Sequence, residues 1–188
     1  MRLVLATLAI AVFSAAVPGA AIAQERLVQL EALPTASRTA LLAWLQRDCS
    51  VAATPEELIR LRALSAVAQE PLIEAYRQGP PQDLERTYEA AFSEAFVARN
   101  TALGREGAKL FGAEDAARLQ SVERDTYVRR RLEAARLNYR TNAVLGLGAV
   151  GASAALPLLD QIAGEADNPM REAARSSIAT LRGGQPPR

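Results

Sequence analysis

No stretch after Gln24 alternates apolar and polar residues in the way a half-buried strand requires. Runs of Ala, Leu, Arg and Glu fill the chain instead, and these are strong helix formers. That pattern predicts an all-α protein and restricts the remaining questions to where helices start, stop and pack. Thr54-Pro55-Glu56-Glu57 reads as a start: Thr54 caps, Pro55 takes the first helical position and Glu57 completes a capping box. Pro34 ends a first short segment. Pro71 divides the next run into 55–68 and 71–78, and Gly79-Pro80-Pro81 is a turn. A helix is expected from about Gln82 to Leu103, a looser connection at Gly104, Gly107 and Gly112, and a long helix from Ala113 to about Tyr139.

Two of these segments carry an apolar face. Leu84, Tyr88, Ala91, Phe92, Ala95 and Phe96 recur at three- and four-residue spacing, which aligns them on one side. Val128, Leu132, Ala135 and Tyr139 do the same further on. The aromatic stripe is expected to be core. Were it instead the wall of a cavity, Tyr88, Phe92 and Phe96 would hold a small apolar ligand.

Residues 146–152, GLGAVGA, contain Gly146-x-Gly148-x-x-Gly151, the dinucleotide-binding spacing. A phosphate loop must follow a strand and open a helix within a βαβ unit. Here the preceding residues, RLEAARLNYRTNAVL, continue a helix, and 37 residues after Gly151 are too few to complete such a domain. A repeat explains the glycines better. RTNAVLGLGAV begins at Arg140 and REAARSSIATL at Arg171, 31 residues later. Arg140 then aligns with Arg171, Ala143 with Ala174, Leu147 with Ile178 and Val150 with Leu181. Self-similarity at this period is a sign of stacked helical hairpins. Small residues at 146, 148, 149, 151 and 152 would let neighbouring helices approach and would end the first of them. Pro157 would sit in a first turn, with Asp167 or Asn168 capping the last helix ahead of Pro169.

This stretch resembles a HEAT repeat, particularly the short HEAT-like repeat of the phycobilisome-lyase type. The resemblance rests on Arg140-x-x-Ala143, Leu147-Gly148, Ala155-Leu156-Pro157-Leu158-Leu159 and Asp167-Asn168-Pro169-x-Arg171-x-x-Ala174, and it covers residues 140–182. It implies an α-solenoid, a helical hairpin array whose surface binds other proteins. Some relatives attach bilin pigments, but nothing in this chain matches a bilin site. Upstream the echo is fainter, in RALSAVAQEPLIEAYRQGPP and LERTYEAAFSEAF, so a less regular helical part is expected there.

Much chemistry lacks the residues to support it. The chain has no His, which removes Ser-His-Asp and Cys-His sites, and its one Cys, Cys49, allows no intrachain disulfide and no zinc site. No P-loop is present, and no cofactor or metal is expected. Carboxylates do pair at Glu56/Glu57, Glu70/Glu74, Glu114/Asp115 and Glu165/Asp167. An enzyme acting on a cell-envelope polymer could use such a pair. Three of the four pairs lie at expected helix starts, where the helix dipole favours negative charge.

One feature points to recognition. Between Arg118 and Arg140 stand seven Arg and only three acids, Glu123, Asp125 and Glu133. Arg129, Arg130, Arg131 and Arg136, with Tyr127, form the candidate partner-binding set. Consecutive helical residues point in different directions, so part of this set must face solvent. Arg clamps carboxylates bidentately and is enriched at interfaces, which fits a protein partner with an acidic surface. The plainer reading is a solvated face paired with glutamates of neighbouring helices.

The compartment is read from the other end. Arg2, the apolar run Leu3 to Ala16, Pro18-Gly19 and Ala21-Ile22-Ala23 make a signal peptide over 1–23, with cleavage expected after Ala23. The expected product is periplasmic or secreted, a single all-α domain over 24–182 with a flexible tail over 183–188. Losing Arg2 takes the charge balance from 22 basic and 21 acidic residues to 21 and 21. That balance argues against nucleic acid as a partner, and no stable membrane insertion is expected after cleavage. The leading expectation is an exported, non-catalytic protein-binding module.

Overall fold

A computed structural model of the chain describes residues 33–183. The expected signal peptide and its cleavage site, and residues 184–188 of the expected tail, lie outside the described residues. Within them every regular element is helical and no strand occurs. The order is α1 (Thr35–Gln46), α2 (Pro55–Arg62), a 3₁₀ turn (Ser65–Ala68), α3 (Gln69–Gln78), α4 (Gln82–Ala102), a π turn (Leu103–Gly107), α5 (Ala108–Phe111), α6 (Ala113–Gln120), α7 (Arg124–Ala149), a second 3₁₀ turn (Ser153–Ala155), α8 (Leu156–Gly164) and α9 (Arg171–Leu181). None of these helices is long and apolar enough to cross a membrane.

The punctuation seen in the sequence acts as expected at several ends. The Glu57 amide donates to Thr54 Oγ1 at 3.2 Å and the Thr54 amide donates to Glu57 Oε2 at 2.7 Å, closing the capping box that opens α2. Gly79 ends α3 at φ +81° and Gly151 follows α7 at φ +74°, conformations open to glycine at little cost. The last helix departs from expectation: it begins at Arg171, with Met170 rather than Asp167 or Asn168 at the cap position and no side-chain cap bond, while Asn168 Oδ1 accepts from the Met170 amide at 2.9 Å within the preceding turn.

Other boundaries differ. Pro71 does not open its helix; α3 begins two residues earlier, which puts Pro71 in the first turn, where no backbone bond is lost. The helix expected from Ala113 to Tyr139 is two helices. It breaks at Ser121, whose hydroxyl donates to the Arg118 carbonyl at 2.8 Å and so competes for an end-of-helix acceptor. The second piece does not stop near Tyr139. Residues 137–145 hold no Pro or Gly, and α7 runs on without interruption through Gly146 and Gly148.

That continuous α7 organises the molecule. It touches α1, α2, α3, α4 and α9. Its second half lies in the core. Tyr139, Ala143, Val144 and Leu147 pack with Leu41, Trp44 and Leu45 of α1, Leu61 of α2, Leu72 and Ala75 of α3, Leu159 and Ile162 of α8, and Ala174 and Ile178 of α9. Each fully buried Leu or Ile in that list contributes roughly 1.5–3 kcal/mol relative to an exposed one. Polar groups lock the arrangement. Trp44 Nε1 donates to the Asn142 carbonyl at 2.6 Å, and Asn142, itself wholly buried, donates through Nδ2 to the carbonyls of Leu45 and Arg47. One turn earlier, Asn138 donates to the Arg47 carbonyl and accepts from the Cys49 amide. Two asparagines of α7 thus satisfy the end of α1 and the loop after it.

The first half of α7 forms an arm with α4, the π turn and α6. Burial there is sparse: α4 has no fully buried residue, and Val128, Ala116 and Gly107 are the buried members of 82–138 among the described residues. Val97, Leu110 and Phe111 are exposed on it.

Candidate functional site

The arm carries the arginines. An α-helix turns by about 100° per residue, so Arg129, Arg130 and Arg131 leave α7 in three directions, and all three are exposed. They do not form one cluster. The Arg131 guanidinium lies 5.3 Å from the centre of the Phe92 ring, a cation–π contact with α4. Arg129 lies on the other side of the α4–α7 contact, in a shallow groove of about 200 Å³ shared with Glu89, Ser93, Arg124, Asp125, Val128, Leu132 and Arg136. Arg130 stands two residues, about 200°, from the buried Val128 and so on the outward face. Tyr127 is half-buried: its ring meets Phe96 at 5.6 Å, with the Arg99 guanidinium 5.5 Å from its centre.

Arg136 is engaged within the chain. Its Nε and Nη2 donate to Glu85 Oε1 and Oε2 at 2.6 and 2.9 Å, a bidentate pair between α7 and α4. The Arg136 hydrogen bond, and then its charge, hold the Glu85 carboxyl below the usual carboxylate range. Arg124 donates to Ser93 Oγ at 3.0 Å. Of the candidate set, Arg129 and Arg130 make no ion pair among the described residues, whereas Arg131, Arg136 and Tyr127 hold α7 against α4. Glu85 and Ser93 are the partners that sequence reading missed. Glu85 lies 51 residues from Arg136, and no local spacing links them.

The aromatic stripe of α4 serves the same contact. Tyr88 and Phe92 stack at 6.0 Å. The expectation that the stripe is core holds only in part, since Tyr88, Phe92 and Phe96 are half-buried and Ala91 and Ala95 are exposed. The reason is geometric: that length of α4 packs against α7 and the π turn, and nothing covers its other side among the described residues.

The carboxylate pairs are mostly local devices. Glu56 pairs with Arg60 and Glu57 belongs to the α2 cap, while Asp115 pairs with Arg118 at the start of α6. Glu165 accepts from Asn168 Nδ2 at 2.8 Å and from Gln161 Nε2 at 3.1 Å, and these bonds keep it ionised below the usual range. Glu165 and Asp167 do line a cleft of about 830 Å³, facing Tyr76, Arg77 and Arg140. Cys49 is half-buried and unpaired to another cysteine, and burial pushes its thiol above the ordinary value. A thiol so shifted is a weaker nucleophile at neutral pH.

No family model matches the chain, no curated protein matches its sequence and no solved structure matches its fold.

Proposed function

We propose that the chain is an exported, non-catalytic helical-repeat protein that acts as a protein-binding module in the periplasm, presenting the outer face of the α4–α7 arm to an acidic partner. One observation carries the reading. Every other candidate residue on the arm has a bonded or ring partner within the chain, but Arg129 and Arg130 are exposed and make no ion pair among the described residues.

Reading the helices around α7 as a HEAT-like repeat would give the same class of function. Matched positions of the repeat behave alike. Ala143 and Ala174 are wholly buried, and Leu147 and Ile178 are buried beside them. Arg140 donates to the Gln78 carbonyl at the end of α3, and Arg171 donates to the Ala163 carbonyl near the end of α8. Both α3 and α8 follow a 3₁₀ turn and carry a proline in their first turn, Pro71 and Pro157. On this reading α3 and α8 are equivalent second helices, the second half of α7 and α9 are equivalent first helices, and the arm is an insertion between them.

An enzyme using Glu165 and Asp167 is less favoured. Both acids come from one loop, and the wall opposite supplies arginines and a tyrosine rather than a second carboxyl.

The test is a crosslinked capture from a periplasmic extract with the tagged chain from Gln24 onward, repeated with an Arg129→Gln/Arg130→Gln double variant. One partner recovered in near-equal amount, lost with the variant and at high salt, is the expected result. A partner retained equally by the variant excludes the arm's arginines as the binding face. Arg131 and Arg136 stay unchanged because they brace α7 on α4.

A further inference from the structure

The 830 Å³ cleft lies outside the arm, at the junction of the end of α3, the middle of α7 and the α8–α9 loop. Its size falls in the range of clefts that hold small ligands. Its charges are sorted by wall. Arg77 on the last turn of α3 and Arg140 on α7 stand on one side, with Tyr76 between the apolar core and the opening; Glu165 and Asp167 stand on the other. The two walls are not paired to each other: neither arginine makes an ion pair with Glu165 or Asp167, although the Arg140 charge also acts on Glu85 of α4. Arg140 is poorly satisfied. Its Nη2 reaches the Gln78 carbonyl only at 3.3 Å, and its Nε, shielded from solvent, has no acceptor. Glu165 is held in place by two side-chain amides, and a carboxylate accepts about four hydrogen bonds, so it keeps capacity for a further donor. Ala166, Pro169 and Met170 add apolar surface to the α8–α9 wall beside these charges.

We propose that this cleft binds a short zwitterionic peptide, its terminal carboxylate on Arg77 and Arg140 and its ammonium against Glu165 and Asp167. A guanidinium pair suits a planar carboxylate, and a fixed carboxylate suits a compact ammonium. Charge of both signs on opposed walls selects for a ligand carrying both, and a simple anion or cation would face one wall of like sign.

Trialanine with free ends is the probe, titrated into the folded full chain and followed by amide chemical shifts. The expected result is saturable shifts confined to residues 76–79, 140 and 165–170. C-terminal amidation or N-terminal acetylation of the peptide weakens binding at least about tenfold, as does Arg77→Gln or Asp167→Asn in the protein. Both replaced residues are exposed, so both variants keep the parent's far-ultraviolet circular dichroism. Absence of saturable shifts up to about 10 mM peptide, a weaker limit than any useful affinity, overturns the proposal. So does equal binding of a capped peptide, or variants that bind like the parent. Arg129→Gln leaves trialanine binding unchanged, which keeps this cleft and the arm face separately testable.

Discussion

Gly146 and Gly148 sit in the last turn of α7, still within the helix, where glycine is a poorer helix former than alanine. Their neighbours explain them. A Cβ on Gly146 would lie 2.8 Å from both Trp44 Nε1 and Leu72 Cδ2, and a Cβ on Gly148 would lie 2.7 Å from the Ser177 Cα. The first lets α1 and α3 close on α7, and the second lets α9 do so, where Ser177 Oγ donates to the Val144 carbonyl at 2.9 Å. Gly146→Ala should therefore destabilise by about 1–3 kcal/mol despite its better helix propensity, the usual range for overpacking a tight core. Gly148→Ala should cost at least as much, because the obstacle is backbone and cannot swing away. Gly164 has nothing within 4 Å of an added Cβ, so Gly164→Ala is the control, with stability unchanged or raised by about 1 kcal/mol or less. Urea unfolding followed by circular dichroism compares the three. A Gly146→Ala protein as stable as the parent would remove close approach as the reason for that glycine.

At the scale of the element, α7 does two jobs along one rod. Its second half supplies core residues and the Asn138 and Asn142 caps, while its first half is braced on α4 by Arg136–Glu85, Arg124–Ser93 and the Arg131–Phe92 contact. The brace is pH-dependent. Glu85 is depressed in the folded state, so between its folded and its unfolded pKa the unfolded chain binds more protons. Its stabilisation is therefore complete above the unfolded carboxylate value, about 4.3, and is lost as pH falls through the folded value. The pair is partly exposed, and such pairs contribute about 1 kcal/mol or less. The stability difference between the parent and Arg136→Gln should be present at neutral pH and shrink steadily below about pH 4. Chemical denaturation across that range measures it, and a difference that does not change with pH would show the pair to be idle.

For the whole molecule, the uneven burial predicts uneven stability. The core holds Leu41, Leu45, Leu72, Leu147, Leu159 and Ile162 with no exposed surface, while the arm offers few such contacts. Segments with little buried apolar area open with less free energy than the global unfolding. Amide hydrogen exchange should run fastest across the π turn, α5 and α6, and slowest at residues 143–147 and 159–162. Equal protection in arm and core would mean that the arm is stabilised by contacts beyond those described.

Local chemistry and long-range packing divide what could be read in advance. The all-helical class, the α2 capping box, the turns at Gly79 and Gly151 and the rejection of a dinucleotide loop at 146–152 depend on residues within a turn or two of each other. Propensity and periodicity report such interactions directly. The tie from Trp44 to Asn142 and the Glu85–Arg136 brace join residues roughly fifty to a hundred positions apart. No spacing rule reaches that far. The division of three consecutive arginines among a groove, an aromatic ring and open solvent is of the same kind. Helix geometry required them to diverge, but only the docking of α4 decided which would be occupied and which left free. The linear chain thus determined what each segment could become; the packing of α1, α3, α4 and α9 on α7 decided which side chains face a neighbour and which are left exposed.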